Sequence, residues 1–183
     1  MNTILAPLKE LGAYEEMMRA LHQTGGKAAA SGCVESQKLH MIFGTDAGFD
    51  VKIIVTYNEI KARELLDDCR LYCRESYFYP AKDLIFYQAD VHSNQLTRER
   101  IAVQRRILEG KPFTIVTTFA ALMAHPIPLK IIEDSVIHIG VGSVVEEQAL
   151  ARRLAVMGYE KSFQVEAPGQ FSIRGGIVDI FDL

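Results

Sequence analysis

Residues 28–43 read AAASGCVESQKLHMIF, in which Gly32 and Lys38 stand at the separation of the first glycine and the lysine of a phosphate-binding loop. A working loop needs a second glycine so that backbone N–H groups can close around the phosphates. It also needs the lysine for the β- and γ-phosphates and a Ser or Thr hydroxyl for Mg²⁺. Here Gln37 occupies the second glycine position and Leu39 the hydroxyl position, so only Lys38 remains, and Glu35 adds negative charge. A Cβ at 37 obstructs close backbone approach, and Leu cannot ligate Mg²⁺. The stretch therefore predicts the strand, loop and helix of a nucleotide-binding scaffold without nucleotide hydrolysis.

Working outward, residues 8–23 carry Leu8, Leu11, Tyr14, Met17, Met18 and Leu21 at helical spacing, and Gly25-Gly26 ends that helix. KAAASG (27–32) reads as a short strand, followed by a helix through Phe43 stopped by Gly44 and Gly48. DVKIIVTY (50–57) has the apolar run of a strand buried on both faces, and Asn58 is placed to cap the helix after it. SYFYPA (76–81) is a third strand ending at a proline, and 83–90 is extended. A helix capped by Ser93 or Asn94 closes at Gly110, and FTIVTT (113–118) is another buried strand. A short helix then halts at Pro126 and Pro128. This alternation predicts an α/β unit over 1–131, with a parallel sheet, right-handed crossovers and helices on both faces.

The pattern changes over 132–183. SVIHIGVG (135–142) reads as a strand, and the next helix turns Leu150, Leu154 and Met157 inward. KSFQVEA, the turn Pro168-Gly169, QFSIRGG and IVDIFDL then predict an antiparallel meander with a turn at Gly175-Gly176. A smaller α+β, largely antiparallel unit thus begins near 132. Because the chain stops inside a strand-rich region, it reads as part of something longer.

Formal charge is −3, with 16 Lys and Arg against 15 Asp and Glu over 1–131 and 4 against 8 over 132–183. Neither part is the basic surface that nonspecific nucleic-acid binding requires. Cys33, Cys69 and Cys73 form no Cys-x-x-Cys pair and read as reduced cytosolic thiols. No window approaches the ~20 apolar residues of a membrane span, and no signal peptide opens the chain. A soluble cytoplasmic protein without metal or membrane is expected. Ile131-Ile132-Glu133-Asp134 superficially resembles the acidic strand that accompanies a phosphate loop. The order of its acids and the interrupting Lys130 make it a solvated strand entrance instead.

The form Gly158-Tyr159, nine residues, then GQFSIRGGIVDIF (169–181) resembles the signature of the excision-repair protein UvrB and of the transcription-repair coupling factor family. YPAKDLIFYQADVHSNQ and RRILEGKPFTIVTTFAALM add to it, so that the resemblance covers almost the whole chain. UvrB requires a working phosphate loop and a long aromatic DNA-clamping hairpin. Residues 82–95 are too short for that hairpin, and the decayed loop matches the coupling factor's N-terminal, UvrB-like region. The resemblance implies a degenerate helicase-type (P-loop NTPase-like) first domain, 1–131, followed by the start of the domain that recruits UvrA, 132–183. ATP and Mg²⁺ are then expected only at motor domains elsewhere in the full-length translocase. Contacts to RNA polymerase and DNA would likewise come from the rest of that protein. Matched position by position, the UvrA-contacting basic residues of UvrB fall on Arg174, Lys161 and Ser172, with Phe181 a hydrophobic neighbour. Core packing is the expected role of Phe181, and Glu166 on a facing strand is the alternative partner of Arg174.

Two other readings compete. In one, Lys38 still holds a phosphate in a divergent nucleotide-binding domain. In the other, Arg98, Arg100, Arg105, Arg106 and Lys111 bind DNA directly, although interleaved Glu99 and Glu109 make a solvated helix face the better account.

Overall fold

A computed structural model describes residues 3–45, 48–81 and 90–182, with side chains over 5–45, 48–81 and 95–182. The extended segment expected at 83–90 and most of the 82–95 stretch lie outside the described residues. A 3₁₀ segment, Thr3–Glu10, leads into α1 (Gly12–Leu21) and α2 (Glu35–Gly44). Strand β1 (Val51–Thr56), helix α3 (Glu59–Tyr72), strand β2 (Ser76–Tyr79), helix α4 (Asp90–Glu109) and strand β3 (Phe113–Thr118) follow. Strand β3 runs directly into a short helix α5 (Phe119–Met123), and α6 (Leu129–Ser135) follows. Asn58 caps α3 as its sequence position implies: its side-chain oxygen accepts the Lys61 N–H at 2.8 Å.

The three strands form a parallel sheet in the order β1-β3-β2. Strand alternation sends Ile54, Val116 and Phe78 to one face, in register with each other. There they meet Leu39 of α2 and Ala62, Leu66 and Cys69 of α3. Burial holds the Cys69 thiol up at about 12, so it behaves as a small hydrophobe. Tyr79, Phe113 and Ile115 line the other face and pack against Val103 of α4 and Ala121 of α5. Helices therefore cover both faces, as the alternation implies.

Coverage is unequal across the sheet, and here the sequence expectation for β1 needs correction. Helix α4 lies over β2 and β3, so Val51, Ile53 and Val55 stay exposed on their outward side and β1 is a half-buried edge strand. Residues 27–31 are not a strand. Their Ala and Ser side chains are exposed throughout and too small to bury useful apolar area, and no ladder partner lies beside them among the described residues. Helix α4 begins at Asp90, so Ser93 and Asn94 lie inside its first turns and are not its cap.

The remainder holds α7 (Glu147–Val156) and a second sheet of β4 (Glu160–Lys161), β5 (Gln170–Arg174) and β6 (Ile177–Phe181), in that order. Leu150 and Leu154 of α7 bury against Phe171, with Ile173, Val178 and Tyr159 around them. Met157 is half-buried. Strands β5 and β6 are antiparallel through the Gly175-Gly176 turn, where both residues have positive φ (55° and 86°) that a side chain would strain. The meander is only partly realised, because β4 runs parallel to β5 and residues 162–169 cross the sheet between them. Two further expectations fail. Residues 136–140 form no strand: the carbonyls of Asp134 and Val136 accept hydrogen bonds from the Arg153 guanidinium at 3.1 and 3.0 Å. LKIIEDS, expected as a strand entrance, is helix α6, started after Pro128 with Ile132 turned into the core. The expected unit boundary at 131–132 falls within this helix.

Leu39 is 3% exposed at the centre of the first core. Restoring a hydroxyl there, Leu39→Ser, should lower stability by about 2–4 kcal/mol through lost apolar burial and an unpaired buried polar group. Urea unfolding of the two proteins would measure it.

Candidate functional site

The segment from Gly32 to Leu39 is the first candidate. Gly32 keeps the left-handed conformation a phosphate loop uses, with φ of 76°. The next three signature positions are engaged elsewhere. Gln37 turns its amide oxygen back to accept the Val34 N–H at 3.2 Å, capping α2. Lys38 donates to Glu35 at 2.6 Å, and Lys61 of α3 reaches the other oxygen of that carboxylate at 3.2 Å. Hydrogen bonds from Lys38 and Lys61 hold the Glu35 carboxyl below its ordinary value. Leu39 is in the core. A magnesium triphosphate does not fit this arrangement: an acid stands at the lysine, a side chain closes the glycine position, and a buried hydrocarbon stands in for the metal's hydroxyl ligand.

The basic helix α4 is the second. Arg100 is buried, donates to the Pro80 carbonyl at 2.6 Å and lies 4.1 Å over the Tyr79 ring, and burial pushes its pKa down. Arg106 donates to the Tyr77 hydroxyl at 2.7 Å and pairs with Glu75 at 2.5 Å and Glu109 at 2.6 Å. Arg105 reaches Asp182 at 3.4 Å, and Arg98 sits 5.7 Å over the Phe181 ring. Glu99, from the same helix, pairs with Arg63 of α3 at 3.3 Å. These arginines tie α4 to the first sheet and to β6, so they do not form an open cationic stripe.

The β4-β5-β6 sheet is the third candidate and holds all four residues indicated by the resemblance. Alternation along β5 turns Phe171 and Ile173 toward α7 and Gln170, Ser172 and Arg174 to the opposite face. Arg174 is exposed, and its guanidinium pairs with Asp179 of β6 at 2.5 Å. Both side chains are nearly half exposed, so the pair contributes at most about 1 kcal/mol. The acid that Arg174 pairs with is thus Asp179 of the adjacent strand and not the expected Glu166. Ser172 lies on the same face but is 1% exposed, and its hydroxyl donates to the Phe163 carbonyl at 3.1 Å. Phe181, opposite Gln170 on that face, is 37% exposed beneath Arg98, which differs from the core packing expected for it. Lys161 is exposed, but its register with Phe171 assigns it to the α7 face. The fold therefore brings Arg174, Ser172 and Phe181 together and leaves Lys161 across the sheet edge.

Phe163 and Asp179 belong to this site and are not evident from the sequence. Read as a strand, 161–167 gives no reason to single out Phe163. Asp179 becomes meaningful only once the β5–β6 register is known. Elsewhere, an apolar cavity of about 620 Å³ lies between α4, α6, α7 and β6, with Arg105 and Asp182 at its edge. Among the described residues no cluster of His, Cys, Asp or Glu could hold a metal ion. No helix among them is long and apolar enough to cross a membrane.

Comparison with known proteins points to the same sheet. A family model described as the UvrB interaction domain matches residues 137–183. The chain is 31% identical over its whole length to a transcription-repair-coupling factor of Bacillus subtilis (strain 168). It is 28% identical, over 99% of its length, to one of Staphylococcus aureus (strain USA300). The match covers 16% of each of those relatives, so the chain spans only a small part of their length. Over its whole length the chain thus resembles the N-terminal, UvrB-like region of transcription-repair-coupling factors, with the UvrB interaction domain falling on the α7–β6 segment.

Proposed function

We propose that this chain is a non-catalytic recruiting module that binds UvrA through the Arg174 face of the β4-β5-β6 sheet. In that role it links a transcription-repair-coupling factor to nucleotide excision repair. The observation that carries the proposal is Arg174 itself, an exposed guanidinium on a strand whose alternate residues are fixed in the core, within the segment matched by the UvrB interaction domain model. Its pairing with Asp179 is weak enough to exchange for a partner carboxylate, which an arginine fork can bind through two parallel hydrogen bonds. Phe181 borders the same face, the buried Ser172 supports the surface from beneath, and Lys161 would engage the partner from the α7 side of the sheet edge.

In this proposal residues 1–131 are a helicase-type, P-loop-like domain that has become architecture, and 132–183 begin the UvrA-binding domain. Nucleotide, Mg²⁺, DNA and RNA polymerase would be handled by the remainder of a longer cytoplasmic protein, where the translocating motor lies. The chain itself would hydrolyse nothing. A residual nucleotide site at Lys38 is the second reading, favoured by the retained left-handed Gly32.

Titration with purified UvrA tests the first reading. The doubly substituted Lys161→Ala/Arg174→Ala protein should bind at least about tenfold more weakly with an unchanged melting temperature, and Arg174→Ala should supply most of the loss. Unaltered binding by the double variant would remove the site assignment. Calorimetric titration with Mg-ATP should give no binding heat, and micromolar affinity would revive the nucleotide reading.

A further inference from the structure

We infer that Phe163 is the apolar anchor of the Arg174 surface, inserting its ring into a recess on the partner beside the carboxylate that Arg174 engages. The inference rests on the proposed UvrA-recruiting function. Phe163 is 84% exposed, but exposure alone does not distinguish it, since Val141 and Val156 are more exposed still. The distinction lies in how it is held. Its carbonyl accepts the hydroxyl of the buried Ser172 at 3.1 Å. Just before it, the Ser162 N–H extends the ladder to the Phe171 carbonyl at 2.8 Å, and the Ser162 hydroxyl closes on the Gln164 carbonyl at 2.6 Å. Just after it, Gln170 Oε1 accepts the N–H groups of Glu166 and Ala167 at 2.9 and 3.1 Å. The backbone is therefore clamped to β5 on both sides of an exposed ring. Little backbone freedom remains to be lost on binding, a condition that favours an aromatic contact.

The ring is also coupled to the cation. The Arg174 guanidinium lies 5.9 Å from the Phe163 centroid, within range of a cation–π interaction. Beside the pair, a cleft of about 550 Å³ runs between Gln164 and Val165 on the loop and Arg174, Asp179 and Phe181 on the strands. An aromatic next to an arginine at a shaped surface is the composition that dominates binding energy in protein interfaces. Ser172 thereby takes on a specific role. At the position where the UvrB pattern has a third basic residue, this chain has a brace that presents a phenyl ring, so apolar contact replaces one ionic contact.

Titration of the 183-residue chain and its Phe163→Ala, Phe163→Tyr and Arg174→Ala variants with purified UvrA, alongside thermal melts, tests the inference. Phe163→Ala should weaken binding at least about tenfold while the melting temperature stays at the wild-type value. Phe163→Tyr, which keeps the ring, should bind within about threefold of wild type. Wild-type affinity in Phe163→Ala together with weakened binding in Arg174→Ala would overturn the anchor and leave the recruiting function standing. An unsubstituted chain that does not bind UvrA would overturn both.

Discussion

Leu39 in the seam between α2 and α3 is the contact on which the first half of the structure depends. It joins the helix after the loop to the helix after β1, and both to Val116 and Phe78 of the sheet. A leucine side chain carries no oxygen to ligate a metal, and at this position it fills a hydrocarbon core. Around it the other signature residues have found local partners: Gln37 at the helix start and Lys38 on Glu35. The loop is thus a joint whose polar groups are satisfied within a few residues of one another, consistent with a scaffold that holds a second unit in position.

Charge is distributed by the same logic. The arginines of α4 could have formed a phosphate-binding stripe, yet Arg100 lies under a carbonyl and over a ring, and Arg106 bridges two acids and a phenol. Arg105 and Arg98 extend the helix's contacts to Asp182 and Phe181 at the end of β6. By contrast, Arg174 pairs with a half-exposed acid and lies over the ring of an exposed aromatic, an arrangement with a low cost of exchange.

Much of the architecture was legible because it rests on local physics. Asn58 as a cap, the helix stripes, the Gly175-Gly176 turn and the strand–helix alternation follow from backbone and periodicity rules that operate over a few residues. The two missing strands share one cause. Residues 27–31 and 136–140 have strand-like composition, but a strand exists only with a ladder partner, and in the second case a distant arginine takes the carbonyls. Of the candidate site, Arg174 was legible through its resemblance-bearing motif. The burial of Ser172, the side of the sheet taken by Lys161 and the presence of Asp179 are matters of strand register, which a single sequence does not display.

Strand β5 carries a consequence for how such a surface can change over time. Phe171 and Ile173 anchor the hydrophobic side while Ser172 and Arg174 furnish the opposite one, so a single inserted or deleted residue would swap the two sets wholesale. Evolution or an engineer can therefore retune the recognition chemistry only by exchanging side chains in place. Length variation must be confined to the crossing segment before the strand or the glycine turn after it.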